Sequence, residues 1–211
     1  MFTFPHSLYP IVDTLGDPQL SHLGLARSML AAGVRFLQLR VKDVPTRGFI
    51  ELATAIQKLA AEAGASLIIN DRADIAKLVQ AAGVHLGQED LPAAQARAIL
   101  GPDAIIGFST HNAEQAEAAV RQGVVDYIGF GPIFPTSSKL RPDPVQGLVG
   151  VREVRRRVAL PIVAIGGITT ATLPDVLAAG ADAAAMISEI VRAPDVGEAV
   201  ARLLRVRSAG I

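Results

Sequence analysis

Eight short apolar runs rich in β-branched residues, an amphipathic helical segment after each, and a recurring Ala-Ala-Gly joint from helix back to strand predict an α/β fold, a single (β/α)8 TIM barrel spanning residues 1–211. The runs are Leu8–Val12, Val34–Leu39, Ser66–Asn70, Gly83–Gly87, Ala104–Ser109, Val125–Phe130, Pro161–Gly166 and Ala183–Ser188. Several are apolar almost throughout, as strands covered on both faces should be. Between the second and third runs, Arg47–Gly64 puts Phe49, Leu52, Ile56 and Leu59 on one helical face and ends in Gly, a good helix terminator. HNAEQAEAAVRQG and TLPDVLAAG end the same way. Ala-Ala-Gly stands before Val34, Val84 and Ala181. In this fold class such joints belong to the bottom face, so functional groups are expected just after the strands, at the top.

Composition narrows the function. The 211 residues are 50% hydrophobic and contain no Gly/Ser tract or charge block that would mark a linker. Twenty Lys and Arg balance twenty Asp and Glu, so net charge supplies no attraction to nucleic acid or an anionic membrane. The absence of Cys excludes disulfides, thiolate metal sites and a cysteine nucleophile. MFTFPHSLYPIVD lacks a basic segment before its apolar part and a small-residue cleavage pattern, so it does not read as a signal peptide. No apolar run approaches the roughly 20 residues of a membrane span. A soluble, cytoplasmic chain is expected.

Chemistry should then sit at the strand ends. After the second strand, Gln38, Arg40 and Lys42 point one way by period-two alternation. Facing inward, they offer a cationic pair to an anion; the alternative is a rim ion pair with Asp43 or a neighbouring acid. Asn70-Asp71-Arg72 follows the third strand and Gly87-Gln88-Glu89-Asp90 the fourth. Parallel neighbours lie about 4.8 Å apart, so Asp71 and Asp90 can meet at one hard cation. Two carboxylates with phosphate oxygens and water suit Mg2+. The competing role for each is a helix N-cap. After the fifth strand, Ser109 and Thr110 offer donors and His111 a proton-transfer group, unless the segment only caps the helix near Asn112. His85 is expected inside the barrel with a hydrogen-bond partner.

The sixth strand feeds GFGPIFPTSSKLRPDP, Gly129 to Pro144, in which four of sixteen residues are Pro. Thr136, Ser138 and Lys139 add two hydroxyls and an ammonium to a stiffened loop, the composition of an anion clamp. Gly166-Gly167 follows the seventh strand and Ile187-Ser188 the eighth. Glycine lets backbone N–H groups approach a ligand, a short helix N-terminus adds its dipole, and loops 7 and 8 are the usual phosphate site of this fold. A tight turn is the plain alternative. Arg152–Val158 is expected as a solvated helix face, and the C-terminal RLLRVRSAG as a helix end that frays. Two anion sites emerge, one from Arg40, Lys42, Lys139 and a metal at Asp71/Asp90, the other from Gly167 and Ser188. They imply a reaction joining two phosphorylated small molecules, without naming them.

In chain order, QLRVKD, LIINDRADIA, GVHLGQEDLP, IIGFSTH, DYIGFGPIFPTSSK, GLVG, PIVAIGGI and GADAAAMIS resemble the thiamin phosphate synthase (thiamin-phosphate pyrophosphorylase) family, over about Tyr9 to Ile190. Each motif alone is weak; together, in order and on the expected strands, they are specific. The resemblance implies a Mg2+-dependent transferase of thiamine biosynthesis. It would couple 4-amino-2-methyl-5-hydroxymethylpyrimidine diphosphate to hydroxyethylthiazole phosphate, or its carboxylate, giving thiamin phosphate and diphosphate. Gln38, Arg40, Lys42, Asn70 and Lys139 would hold the pyrimidine substrate's diphosphate, with Ser109 on the same side. Asp71 and Asp90 would hold Mg2+, and Thr136, Ser138, Gly167 and Ile187-Ser188 the thiazole phosphate. The implied mechanism is dissociative: diphosphate leaves first, and the thiazole nitrogen attacks the resulting pyrimidine methyl cation. Arg40, Lys42, Lys139 and Ser109 would carry catalysis by neutralising the departing oxygens, with the loop from Phe134 to Pro144 as a lid. The chain departs from the family pattern at Ala184, where Gly is usual, and at Thr172, where Asn is common.

Other readings are a related thiazole tautomerase using His111 for proton transfer, a non-catalytic thiamin-precursor sensor or phosphate-binding scaffold, and another phosphate-binding barrel such as a sugar-phosphate epimerase. Asp71, Asp90 and Lys139 together favour the synthase. A homo-oligomer is compatible with each reading.

Overall fold

The computed structural model of the protein describes residues 2–42, 44–136 and 143–206. The strands are β1 (Leu8–Val12), β2 (Phe36–Leu39), β3 (Ser66–Asn70), β4 (Gly83–Leu86), β5 (Ile105–Thr110), β6 (Tyr127–Phe130), β7 (Ile162–Ile165) and β8 (Ala183–Met186). Between them run α1 (His22–Ala31), α2 (Thr46–Glu62), α3 (Ala73–Leu78), α4 (Ala93–Leu100), α5 (Ala113–Gln122), α6 (Gly147–Arg157) and α7 (Leu173–Ala178). After β8 come α8 (Ser188–Val191) and α9 (Val196–Leu203). Each strand pairs in parallel with its sequence neighbours, and β1 pairs with β8, so the sheet closes into the expected (β/α)8 barrel.

Strand ends differ from the sequence reading where helix closure uses a backbone donor. The Val34 N–H bonds Met29 O at 3.2 Å to finish α1, so β2 begins only at Phe36. α2 buries Phe49, Ala53, Ile56 and Ala60, with Leu52 and Leu59 packed at its margin. Gly64 follows with φ of 64°, in the left-handed conformation that favours glycine.

Alternation sorts the strand side chains into two cores. Leu37, Leu39, Leu67, Ile69, Val84, Leu86, Ile106 and Ile128 pack outward against the helices. Tyr9, Ile11, Phe36, Ile68, Tyr127, Val163, Ala183 and Ala185 fill the barrel interior. The N-terminal segment closes the bottom: the Phe4 ring meets Phe36 at 5.3 Å and Tyr127 at 5.2 Å, both edge-on, and Phe2 lies 4.7 Å from Phe4.

A repeated device staples the lower rim. Asp126 Oδ2 accepts from Ile106 N (2.8 Å) and Arg97 Nη2 (2.7 Å). Asp182 Oδ2 accepts from Ile162 N (2.8 Å) and Arg155 Nη1 (2.9 Å). Arg155 also donates to Val158 O and Leu160 O. The Arg152–Val158 face is therefore only partly solvated; Arg155 is half-buried and structural. Among the described residues no helix is long and apolar enough to cross a membrane.

Inside the barrel, Gly107 faces two rings. A Cβ there would lie inside the van der Waals envelope of the Tyr127 ring and 2.5 Å from His85 Nδ1. Gly107→Ala is expected to lower stability by roughly 2–3 kcal/mol through overpacking, read from urea denaturation; unchanged stability would contradict the interior packing.

Candidate active site at the C-terminal rim

The register Ile11↔Gln38 continues upward to set Asp13 beside Arg40. Arg40 Nη1 donates to Asp13 Oδ2, while Asp13 Oδ1 accepts from Leu15 N at 2.7 Å. Asp13 is buried and the Arg40 side chain mostly so. Arg40 is thus both inward-facing at the rim and ion-paired. Its partner is Asp13, which sequence reasoning missed; Asp43 lies outside the described residues. The available signal was an acid ending the apolar run PIVD.

Lys42 reaches across to β3, where its Nζ lies 2.6 Å from Asp71 Oδ2. Asp71 has φ of 64°, a conformation Asp tolerates better than most residues, and its N–H extends the β3–β4 ladder to His85 O at 2.8 Å. It does not cap α3, which starts without a side-chain cap. Asp90 does not cap α4 either; its Oδ2 accepts from Gly87 N at 2.6 Å and folds the β4 loop over the rim. Burial pushes the Asp90 carboxyl above its usual range. The Gly87 N–H opposes that shift, the neighbouring Asp71 carboxyl adds to it, and Lys42 counters it. Two crowded carboxyls, one resisting ionisation, make a place where a cation would be stabilised. Among the described residues no group of three or more His, Cys, Asp or Glu is arranged to hold a metal. A divalent ion at Asp71 and Asp90 would need its other ligands from substrate oxygens and water, as Mg2+ commonly does.

Gln38 and Asn70 are buried at the inner rim of β2 and β3. From Gln38 a polar chain crosses the interior. Gln38 Nε2 donates to Tyr9 Oη (3.0 Å), and Tyr9 Oη lies 3.0 Å from Tyr127 Oη. Tyr127 Oη lies 3.0 Å from His85 Nδ1, and His85 Nε2 lies 2.9 Å from Ser109 Oγ. His85 therefore has two partners, as an interior histidine should. Burial pushes its pKa down to about 4, opposed only in part by Asp71. Burial also raises both tyrosines, so both stay protonated at neutral pH. Tyr9 and Tyr127 were not singled out in the sequence, although each occupies an interior position of an otherwise apolar run. Thr110 turns away from the interior, and its Oγ1 donates to Gly129 O (2.9 Å).

On the other side of the rim, the helix after β5 is capped by Asn112, not His111. His111 Nδ1 donates to Gly131 O (2.9 Å) and lies 3.5 Å from Asp143 Oδ2, so it braces both ends of the β6 loop. Thr136 lies in the described part of that loop, whereas Ser138 and Lys139 lie outside the described residues. Gly167 has φ of 63°, and a Cβ there would stand 2.8 Å from Phe134 Cβ. This glycine lets the β7 loop pass against the β6 loop. Ile187 and Ser188 begin α8, and Glu189 Oε1 accepts from Thr170 N (2.9 Å) and Thr170 Oγ1 (2.6 Å), tying the β7 and β8 loops together. Of the two departures from the family pattern, Ala184 faces the outer shell, and the Thr172 hydroxyl is engaged with Thr169.

Residues 8–190 match the family model described as thiamine monophosphate synthase. The chain is 45% identical over 199 residues to a thiamine-phosphate synthase of Moorella thermoacetica, covering 94% of each chain. It is 44% identical over 203 residues to one of Methanocella arvoryzae, covering 96% of this chain and 95% of that one. The solved thiamine phosphate pyrophosphorylase of Pyrococcus furiosus superposes with a TM-score of 0.83 at 37% identity, covering 93% of each chain.

A pH dependence follows from His85. The unfolded chain accepts a proton near the ordinary value of 6.5, whereas the folded protein resists it down to about 4. Stability is therefore lost as pH falls through that window, by up to ~3 kcal/mol from this group. Urea titrations at pH 7 and pH 4.5 should show a smaller acid loss for His85→Gln than for the unsubstituted protein; equal losses would contradict the neutral, enclosed imidazole.

Proposed function

The chain belongs to the thiamine monophosphate synthase family, and from that membership we propose that it is a thiamin phosphate synthase acting as one barrel domain over residues 1–211. It couples 4-amino-2-methyl-5-hydroxymethylpyrimidine diphosphate to hydroxyethylthiazole phosphate, or its carboxylate, and releases diphosphate. The observation that carries this reading is the convergence of Arg40, Lys42, Asp71 and Asp90 on one rim, above buried Gln38 and Asn70. A rim of that kind suits a polyanionic leaving group with a divalent ion. The 45% and 44% identity to the named synthases, over nearly the whole of each chain, supports the same substrates.

Asp71 and Asp90 would hold Mg2+, which supplies neutralisation of charge on the departing diphosphate. The chain's own residues do the rest. Arg40 spends part of its guanidinium on Asp13 and keeps further donors for diphosphate. Lys42 is half-exposed in its pair with Asp71 and has donors left over. Gln38 and Asn70 orient the pyrimidine substrate, Ser109 donates to the diphosphate side, and Lys139 adds a third cation. Thr136, Ser138, Gly167 and the Ile187-Ser188 backbone hold the thiazole phosphate. Preorganised charge favours departure of diphosphate before attack by the thiazole nitrogen. The loop from Phe134 to Pro144 excludes water from the cation. The tautomerase reading loses support because His111 is engaged with Gly131 and Asp143. A cytoplasmic enzyme, free or as a homo-oligomer, fits this role.

Incubating the purified protein with both substrates and Mg2+ should yield thiamin phosphate and diphosphate together. Isomerisation of the thiazole carboxylate alone would identify a tautomerase, and binding without turnover a sensor. Asp71→Ala and Asp90→Ala should each lower kcat/KM by about 10²–10³-fold and abolish the Mg2+ response; a normal rate and metal response in either variant would remove the metal assignment.

A further inference from the structure

We propose that Gln38, Tyr9, Tyr127, His85 and Ser109 form a one-way hydrogen-bond chain that fixes Ser109 as a donor toward the diphosphate, with Tyr127 and His85 acting as positioning residues. The proposal rests on the reading that Ser109 faces that substrate.

Direction follows from counting protons. The Gln38 amide nitrogen can only donate, and it donates to Tyr9 Oη. Tyr9 has one hydroxyl hydrogen, and its remaining neighbour is Tyr127 Oη. Having accepted from Tyr9, Tyr127 gives its own hydrogen to His85 Nδ1. That nitrogen must then be bare, so a neutral imidazole carries its hydrogen on Nε2 and donates it to Ser109 Oγ. Ser109 has accepted, and among the described residues its hydroxyl hydrogen has no other partner. It is left for the ligand. Both ends of the chain thus meet substrate-binding positions, on β2 and β5.

The surroundings hold the chain in place. Gly107 leaves room for the Tyr127 and His85 rings, and Gly129 stands against His85 Cε1, where a Cβ would be 3.0 Å away. From below, Phe4 packs against Tyr9 at 5.9 Å and Tyr127 at 5.2 Å. Turned hydroxyls would leave a buried donor or acceptor unmet, which is unfavourable in the low-dielectric interior. A serine locked in donor orientation need not reorganise as diphosphate departs.

Two measurements test this. The first needs no substrate: long-range ¹H–¹⁵N correlation of the imidazoles in the ligand-free protein, with His85 identified by its absence in His85→Gln. The Nε2–H tautomer is expected; the Nδ1–H tautomer, which a turned Gln38 amide would produce, overturns the chain whether or not the protein is a synthase. The second is a double-mutant cycle in kcat/KM. Tyr127→Phe should cost roughly 3- to 10-fold alone, Ser109→Ala roughly 10-fold or more, and Tyr127→Phe less than about 2-fold in the Ser109→Ala background. A Tyr127→Phe loss that persists in full without Ser109 would show a merely structural role and overturn the proposal. An unaffected Ser109→Ala would overturn its placement at the diphosphate, while the tautomer still reports on the chain.

Discussion

Closure of eight parallel strands into one ring leaves each side chain two directions, and every second residue must go inward. This parity sends Gln38, Asn70, His85, Ser109, Tyr9 and Tyr127 to the interior while their sequence neighbours pack under the helices. A one-residue slip would bury Leu39 among the polar groups and expose Gln38 to the apolar shell. The site is thus a consequence of the same alternation that builds the core. Its upper layer stays polar because Asp13, Arg40 and Lys42 continue that inward row just beyond the strands.

Electrostatics at the rim suit a site that exchanges partners. Lys42 and Asp71 form a pair with a half-exposed ammonium, and such pairs contribute little to stability. Replacing that contact by a diphosphate on the lysine and a cation on the aspartate costs little. Arg40 and Asp13 are more enclosed, which suits a cation held in a fixed position before substrate arrives. Asp90 resists ionisation because it is buried beside Asp71, so added positive charge would relieve it. Family membership and this charge pattern point the same way, although they rest on independent observations.

Much of this was legible in the sequence, and what was not has a common cause. The eight runs located every strand because burial on both faces leaves a continuous apolar signature, and Gln38, Arg40 and Lys42 declared themselves by spacing. Arg40's partner did not, because Asp13 stands 27 residues earlier and only the β1–β2 register joins them. The Tyr9–Tyr127 contact spans 118 residues, and neither tyrosine looked different from a core aromatic. Asp71 and Asp90 preceded helices and therefore resembled caps, but a left-handed backbone at Asp71 and a tight Gly87–Asp90 turn aim both carboxyls at the rim. Gly167, expected on grounds of ligand approach, is also required by the neighbouring Phe134 segment, a contact between distant loops that spacing cannot reveal.

On this reading one rim would gather a divalent ion and a diphosphate between β2, β3 and β4. Crystals grown with the pyrimidine diphosphate and Mn2+, which shares the octahedral oxygen preference of Mg2+, would test it by anomalous scattering. A single peak is expected within coordination distance of oxygens of Asp71, Asp90 and the diphosphate, with Arg40 and Lys42 on the phosphate oxygens. A bound diphosphate whose metal lies away from both carboxylates would remove the metal from Asp71 and Asp90.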